Sequence, residues 1–282
     1  MNFDAGNYQG WVAITLLVTE DCNYRCAHCI YSCGDQSAIS AENYIQDDIL
    51  NKLPKFIEGI NNLKLRPLVV IVGGEPTLIL SEYERVLKFC ADLKVPIEMV
   101  TNGWWLARPD TTKRIFTGAA QLIAHGVDYR IQISNDTYHE EFRPDSLKGE
   151  GLDSTLRQRL IEFSKLNLTE HITLKPRLDK DIVPIGRGSQ LTTREIGYHT
   201  GSCQASLGVL SFNPSGELID ICCHGSQSYF GSLDDHAGLL LELGRQFVNE
   251  IRPTCRTCKN QSAQWKSTRL SQIAKEVRET RK

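Results

Sequence analysis

Three cysteines stand in one short stretch, Cys22-Asn-Tyr-Arg-Cys26-Ala-His-Cys29, separated first by three residues and then by two. Thiolates are soft ligands that suit iron–sulfur clusters and zinc. A structural zinc ion takes four protein ligands, and Cys33 or His28 is near enough in sequence to supply the fourth. If the trio alone holds a four-iron cubane, one iron keeps a corner without a protein ligand. A substrate or cofactor can take that corner.

A second set lies near the other end: Cys203, Cys222, Cys223, Cys255 and Cys258. The pair Cys255-Arg-Thr-Cys258 can grip one metal centre from a tight turn, and two further thiolates complete four ligands. Zinc and an iron–sulfur cluster both satisfy this pattern, and the spacing by itself favours zinc. Cys222 and Cys223 are adjacent on an expected strand, so they point to opposite faces and one of them reaches the metal. Cys90 sits in a helical pattern and reads as a core residue.

Ten cysteines in 282 residues is a high count. In a reducing compartment, clustered cysteines signal metal or redox chemistry more often than disulfides. The N-terminal residues 1–10 have no basic start and no long apolar core of the kind a signal peptide needs. The apolar run 11–18 is far short of the ~20 residues of a membrane helix. A soluble, cytoplasmic chain with no membrane partner is expected. A net charge of −2 makes no electrostatic case for a nucleic-acid partner, and the basic stretch 266–282 reads as a solvated helix face. Hydrophobic residues make up 41%, enough to bury a sizeable core.

The elements that must position these residues follow a β-then-α order. Strands are expected at 11–18, 68–72, 97–100, 129–133 and 171–175, and helices at 41–60, 81–93, 108–125 and 152–166. Such order builds a parallel sheet with covering helices, and ligands then gather at the carboxyl ends of the strands. The unusual residues all follow strands: the cysteines after the first, Gly73-Gly74-Glu75-Pro76 after the second, Thr101-Asn102-Gly103 after the third, Ser134-Asn135-Asp136 after the fourth. Glycines let a backbone approach a ligand, and a neighbouring carboxylate can accept from an ammonium group. Beyond 188 the pattern changes. Residues 207–212 and 218–222, joined by Asn213-Pro214-Ser215-Gly216, read as a β-hairpin. A core domain over 1–188 and a small second domain over 189–282 are expected.

The cysteine spacing resembles that of the radical S-adenosylmethionine superfamily, and the likeness extends over about residues 12–188. It implies a partial (β/α)6 TIM-like barrel of α/β class, followed by a small C-terminal hairpin-plus-helix domain. It also implies that Cys22, Cys26 and Cys29 hold a [4Fe-4S] cluster whose open iron chelates the amino and carboxylate groups of S-adenosylmethionine. By the same resemblance Gly73, Gly74 and Glu75 meet the cofactor amino group. The His28 backbone approaches the adenine, and Asn102 belongs to the third-strand signature. Ser134 and Asp136 contact the ribose or the methionine carboxylate. Arg187, in Pro184-Ile-Gly186-Arg187-Gly188, either pairs with the cofactor carboxylate or fixes its loop.

The second cysteine set resembles the twitch module, a shorter relative of the SPASM domain. It implies one auxiliary [4Fe-4S] cluster on Cys203, Cys222 or Cys223, Cys255 and Cys258. The implied activity is reductive cleavage of the cofactor to a 5′-deoxyadenosyl radical that takes a substrate hydrogen atom. The expected use is oxidation of a small biosynthetic intermediate, with modification of a ribosomal peptide as the alternative. An electron donor such as flavodoxin or ferredoxin is the expected partner. A leader-binding domain of the peptide-modifying kind is expected to be a separate protein. Arg177, Asp179, Asp181, Trp104, Trp105, Tyr138 and His139 are candidates for substrate contact, each also readable as structural. A non-enzymatic zinc scaffold is the competing class.

Overall fold

Apolar runs of strand length become parallel strands buried on both faces, as such sheets require. The computed structural model describes residues 11–34, 38–175, 187, 209–219 and 229–234. The strands are β1 (Trp11–Leu17), β2 (Arg66–Val72), β3 (Ile97–Thr101), β4 (Tyr129–Ile133), β5 (Ile172–Leu174), β6 (Val209–Phe212), β7 (Glu217–Ile219) and β8 (Tyr229–Ser232). They form one sheet in the order β5-β4-β3-β2-β1-β6-β7-β8. The first six are mutually parallel, and β7 and β8 close the edge antiparallel. The chain is thus an α/β protein built on a six-strand parallel sheet, a partial TIM-like barrel.

The helices are α1 (Asp47–Leu50), α2 (Leu53–Asn62), α3 (Leu80–Asp92), α4 (Pro109–Ala124), α5 (Thr137–Glu140) and α6 (Gly151–Glu162). In α2 the buried residues Leu53, Phe56, Ile57 and Ile60 fall at helical spacing on one face. The helix expected over 41–60 is broken. Tyr44 is buried and bridges to Thr19, and the Ile45 amide donates to the Val18 carbonyl at 2.7 Å. That pairing draws the chain into an extended stretch between a 3-10 turn (Ala41–Asn43) and α1. Pro54 then sits in the first turn of α2, where its missing N–H is harmless. The helix expected over 152–166 ends at Glu162 and continues as a 3-10 turn, Ser164–Leu166. Cys90 is fully buried in the core, as expected, and burial pushes its thiol up to about 12.

The hairpin expected beyond residue 206 is present as β6 and β7, but it is not a separate sheet. β6 pairs in parallel with β1, from Ala13 opposite Val209 to Leu16 opposite Phe212. Phe212 is fully buried, with its ring edge-on to Phe56 of α2 at 5.9 Å, so the strand completes the main core. Gly216 takes φ +77° at the turn, and a side chain there would meet Ile49 of α1 at 2.9 Å. Cys203, Cys222, Cys223, Cys255, Cys258, Arg177, Asp179, Asp181 and the stretch 266–282 lie outside the described residues. Among the described residues no helix is long and apolar enough to cross a membrane.

Candidate functional site

The cysteine loop leaves the carboxyl end of β1 already tied to the end of β2. The Val18 amide donates to Val72 O, Gly74 N to Thr19 O and Glu75 N to Asp21 O, each at 2.8 Å. The two loops run so close that a Cβ on Gly74 would lie 2.1 Å from the Asp21 carbonyl oxygen and 2.8 Å from Cys22 Cβ. What approaches this glycine is the cysteine loop itself. The loop closes at its far end through Gly34. That residue takes φ +85°, donates to Glu20 O at 3.1 Å and accepts from Arg25 Nε at 2.9 Å. Asp21 is buried and accepts from the Ser40 amide at 3.0 Å and from Asn43 Nδ2 at 3.0 and 3.1 Å. Arg187 clamps the middle: its amide donates to Cys29 O at 3.0 Å and its Nε to Cys26 O at 3.1 Å. Of the two roles open to Arg187, these bonds are those of a residue that fixes the loop.

Cys22, Cys26, Cys29 and Cys33 are all free thiols, with Cys26 and Cys33 buried. Cys22 Sγ accepts from the Tyr24 amide at 3.4 Å and has Asn102 Nδ2 at 4.0 Å. Burial pushes Cys22 up to about 12 and Cys26 higher still, and the charges of neighbouring cysteines add to the rise in both. Cys29 is the exception. A hydrogen bond from the Cys33 thiol, set against burial, brings it down to about 6 and drives Cys33 up. Cys33 itself packs with Leu17 and Val72, the apolar lining of the strand ends. Cys22 and Cys26, which burial keeps protonated, are thiols that a strongly positive metal centre would ionise and stabilise, and Cys29 beside them ionises more readily. A cubane held at three corners fits that set.

Glu75 is fully buried and joins the ends of β2 and β3. One oxygen accepts from Thr77 N at 3.1 Å, the other from Asn102 N at 2.8 Å, and Thr101 Oγ1 lies 2.9 Å from both. The Thr77 hydroxyl bonds to it as well. Burial raises this carboxyl, against those hydrogen bonds. Both oxygens thus engage the chain's own donors. Asn102 is buried, and its Nδ2 donates to Asn23 Oδ1 at 2.9 Å, linking β3 to the cysteine loop. Trp104 Nε1 donates to Thr77 Oγ1 at 3.0 Å. Trp105 is fully buried against Phe116, which removes it from substrate contact.

The fourth strand brings a wall of rings. Ser134 N donates to Thr101 O at 2.8 Å, and the Ser134 carbonyl accepts from Arg143. Asp136 caps α5, accepting from His139 N at 3.0 Å and bonding His139 Nδ1 at 2.7 Å, with His28 Nε2 at 3.6 Å. Burial would raise the Asp136 carboxyl. The His139 hydrogen bond and the charges of His139 and His28 outweigh it and hold the group below the usual carboxylate range. His28 stacks on Tyr138 at 4.8 Å and meets His139 edge-on at 5.1 Å. Burial lowers it to about 4, against the pull of Asp136. Tyr24, from inside the cysteine motif, stacks on Phe142 at 6.1 Å. The sequence reading missed Asp21, Tyr24, Thr77 and Arg143, and it named Thr101 only as part of its motif. Position inside or beside a motif was the available signal for all but Arg143. A groove of about 1410 Å³ between α3 and α4 contains none of these residues.

Residues 16–155 match the family model described as Radical SAM superfamily. The chain is 24% identical over 298 residues to the radical SAM cyclopropyl synthase TigE of Paramaledivibacter caminithermalis, covering 81% of this chain and 60% of that protein. It is 29% identical over 175 residues to the GTP 3′,8-cyclase of Aliarcobacter butzleri, covering 60% of this chain and 48% of the relative. The chain therefore spans at most 60% of the length of either relative. Among solved structures, BtrN in complex with AdoMet and 2-DOIA superposes with a TM-score of 0.54 at 14% identity over 82% of each chain, a likeness of fold.

Proposed function

We propose, for a chain whose residues 16–155 match the radical SAM superfamily model, that it is an enzyme of that superfamily, that Cys22, Cys26 and Cys29 hold a [4Fe-4S] cluster and that the enzyme cleaves S-adenosylmethionine reductively. When bound, the cluster supplies the electron for that cleavage, which yields methionine and a 5′-deoxyadenosyl radical able to take a substrate hydrogen atom. The chain's own residues do the positioning. Arg187, Gly34 and Asp21 fix the cysteine loop. Glu75 sets the ends of β2 and β3 against each other, and Asn102 joins them to the loop. The Tyr24, Tyr138 and Phe142 rings beside the loop exclude water from a site where a stray hydrogen donor would quench the radical. Gly73, Gly74, Ser134, Asp136 and His28 border the space in which the cofactor would lie.

The observation that carries this reading is the placement of three free cysteines on one loop tied by backbone hydrogen bonds to the carboxyl edge of a parallel sheet. It is tested by anaerobic reconstitution with iron and sulfide, then assay of 5′-deoxyadenosine under dithionite. Replacing Cys22, Cys26 or Cys29 by Ala should abolish release, and undiminished release in the triple variant would overturn the assignment.

For the net reaction we favour oxidation of a small biosynthetic intermediate, in a soluble cytoplasmic enzyme served by flavodoxin or ferredoxin. The support is the second cysteine set. Cys203, Cys222 or Cys223, Cys255 and Cys258 suit an auxiliary [4Fe-4S] cluster able to accept the substrate's second electron. A second reading is modification of a ribosomal peptide; the alignment with a cyclopropyl synthase favours a ring-forming reaction in that case. Iron content of the Cys255→Ala variant tests the auxiliary cluster: it should fall by the iron of one cluster, with 5′-deoxyadenosine release retained.

A further inference from the structure

Cys26 has a second set of neighbours. One ligand atom each of Cys26, His28 and His139 lie within 4.8 Å of one another. Thiolate and imidazole are the ligands zinc prefers, and a site with three protein ligands leaves the fourth position to water. Bonds of the usual length to a tetrahedral ion set its ligands roughly 3.4–3.8 Å apart. From 4.8 Å the trio would need to draw in by about 1.4 Å at most, within the reach of side-chain rotation.

The carboxylate of Asp136 is an independent sign. Imidazoles that bind metal donate their other ring N–H to a carboxylate, which fixes the tautomer and aims the free nitrogen. Asp136 Oδ2 does this for His139, at 2.7 Å from Nδ1, and stands 3.6 Å from His28 Nε2, an ion-pair distance. That arrangement leaves His139 Nε2 and His28 Nδ1 as the nitrogens Asp136 does not engage. His28 Nδ1 is buried and has no hydrogen-bond partner. A buried polar atom without a partner carries its full desolvation cost, and a metal ion would remove it. The Tyr138 stack holds the His28 ring in place for this.

We propose that the cluster-free chain binds one Zn²⁺ through Cys26, His28 and His139, with Asp136 orienting the His139 imidazole and Tyr138 holding that of His28. Because the ion and the cluster both require Cys26, zinc at this site excludes cluster assembly. Zinc binding stands on its own observations, and only the exclusion rests on the proposed cluster. The site is a competing occupant of an enzyme's cluster loop, not a structural zinc scaffold.

The test uses the full-length chain purified free of iron, with Co²⁺ as the spectroscopic substitute for zinc. Cysteines elsewhere also bind Co²⁺, so the readout is the difference between proteins. The wild type should take up one more equivalent in tetrahedral thiolate–imidazole form than His139→Ala. Asp136→Asn, which removes no ligand, should keep that equivalent with affinity weaker by about 10–100-fold. Loading with Zn²⁺ before reconstitution should lower iron uptake by one cluster more in the wild type than in His139→Ala. Equal Co²⁺ stoichiometry, or equal inhibition by zinc, overturns the proposal. If His139→Ala fails to fold, Asp136→Asn decides, and unchanged affinity overturns it. If the wild type takes up no cluster even without zinc, the cluster reading fails, and the Co²⁺ difference still decides the zinc site.

Discussion

Adding one methyl group at Gly74 should do more damage than anywhere else on the two glycines of its motif. The new Cβ would lie 2.1 Å from the Asp21 carbonyl oxygen and 2.5 Å from its carbon. Carbon–oxygen contacts sit near 3.3–3.6 Å even when attractive, so the backbones must part by about an ångström. The Asp21 carbonyl cannot retreat alone, because Glu75 N binds it at 2.8 Å and Gly74 N binds Thr19 O at 2.8 Å. Overpacking of this kind costs about 1–3 kcal/mol, and loss of one backbone bond adds about 1 kcal/mol. Gly74→Ala should therefore lose ~2–4 kcal/mol, or about 4–8 °C in Tm at roughly 2 °C per kcal/mol. It should also load less iron, because Cys22 moves with Asp21. At Gly73 the nearest atom is Thr19 O at 3.0 Å, beside a methyl at 3.3 Å, and Ala should cost about 1 kcal/mol. Gly118 in α4 has nothing within 4 Å, so Ala there should stabilise by about 0.5–1 kcal/mol through helix propensity. Urea unfolding of the three variants gives the order. Gly74→Ala as stable as Gly73→Ala, with normal iron loading, would mean that the two loops are not in close contact at Gly74.

Glu75→Gln should destabilise by about 1–3 kcal/mol in urea unfolding, because each oxygen accepts from a backbone amide and the Gln nitrogen must face one of them. His28 is held near 4 in the folded chain, below its ordinary value. A depressed pKa means stability is full above about pH 6.5 and is lost as pH falls towards 4, by ~2–3 kcal/mol. Unfolding free energy measured across that window should flatten in His28→Gln. Arg187→Ala removes the Nε bond to Cys26 O, so iron loss to a chelator should be several-fold faster with the fold intact by circular dichroism.

The parallel sheet was legible because strands buried on both faces must be apolar throughout, and the runs 11–18 and 68–72 are. The site's placement was legible too, since its motifs all follow strands. The helix over 41–60 was misread because helical spacing in Leu53, Phe56 and Ile60 continues a pattern that Tyr44 breaks by pairing with Thr19, a long-range contact no local window contains. β6 read as half of a separate hairpin, since its turn chemistry is local while its pairing to β1 spans nearly the whole chain. The sequence motif alone suggests that the backbone at Gly73 and Gly74 approaches a ligand. Their closest neighbours are the backbone at Thr19 and Asp21, which spacing alone does not reveal. The ring wall was half legible: Tyr138 and His139 stood out as polar rings after a strand, whereas Arg143 carries no local sign of burial.

Three cysteines should leave one iron corner open for the cofactor, with Cys33 set aside as a hydrogen-bond donor to Cys29. Electron–nuclear double resonance of the reduced cluster, with S-adenosylmethionine isotope-labelled at its amino nitrogen and carboxylate, reads that corner directly in wild type and Cys33→Ala. Coupling from both labels is expected in both proteins. Absence of coupling in the wild type, or its appearance only once Cys33 is removed, would contradict the three-cysteine assignment.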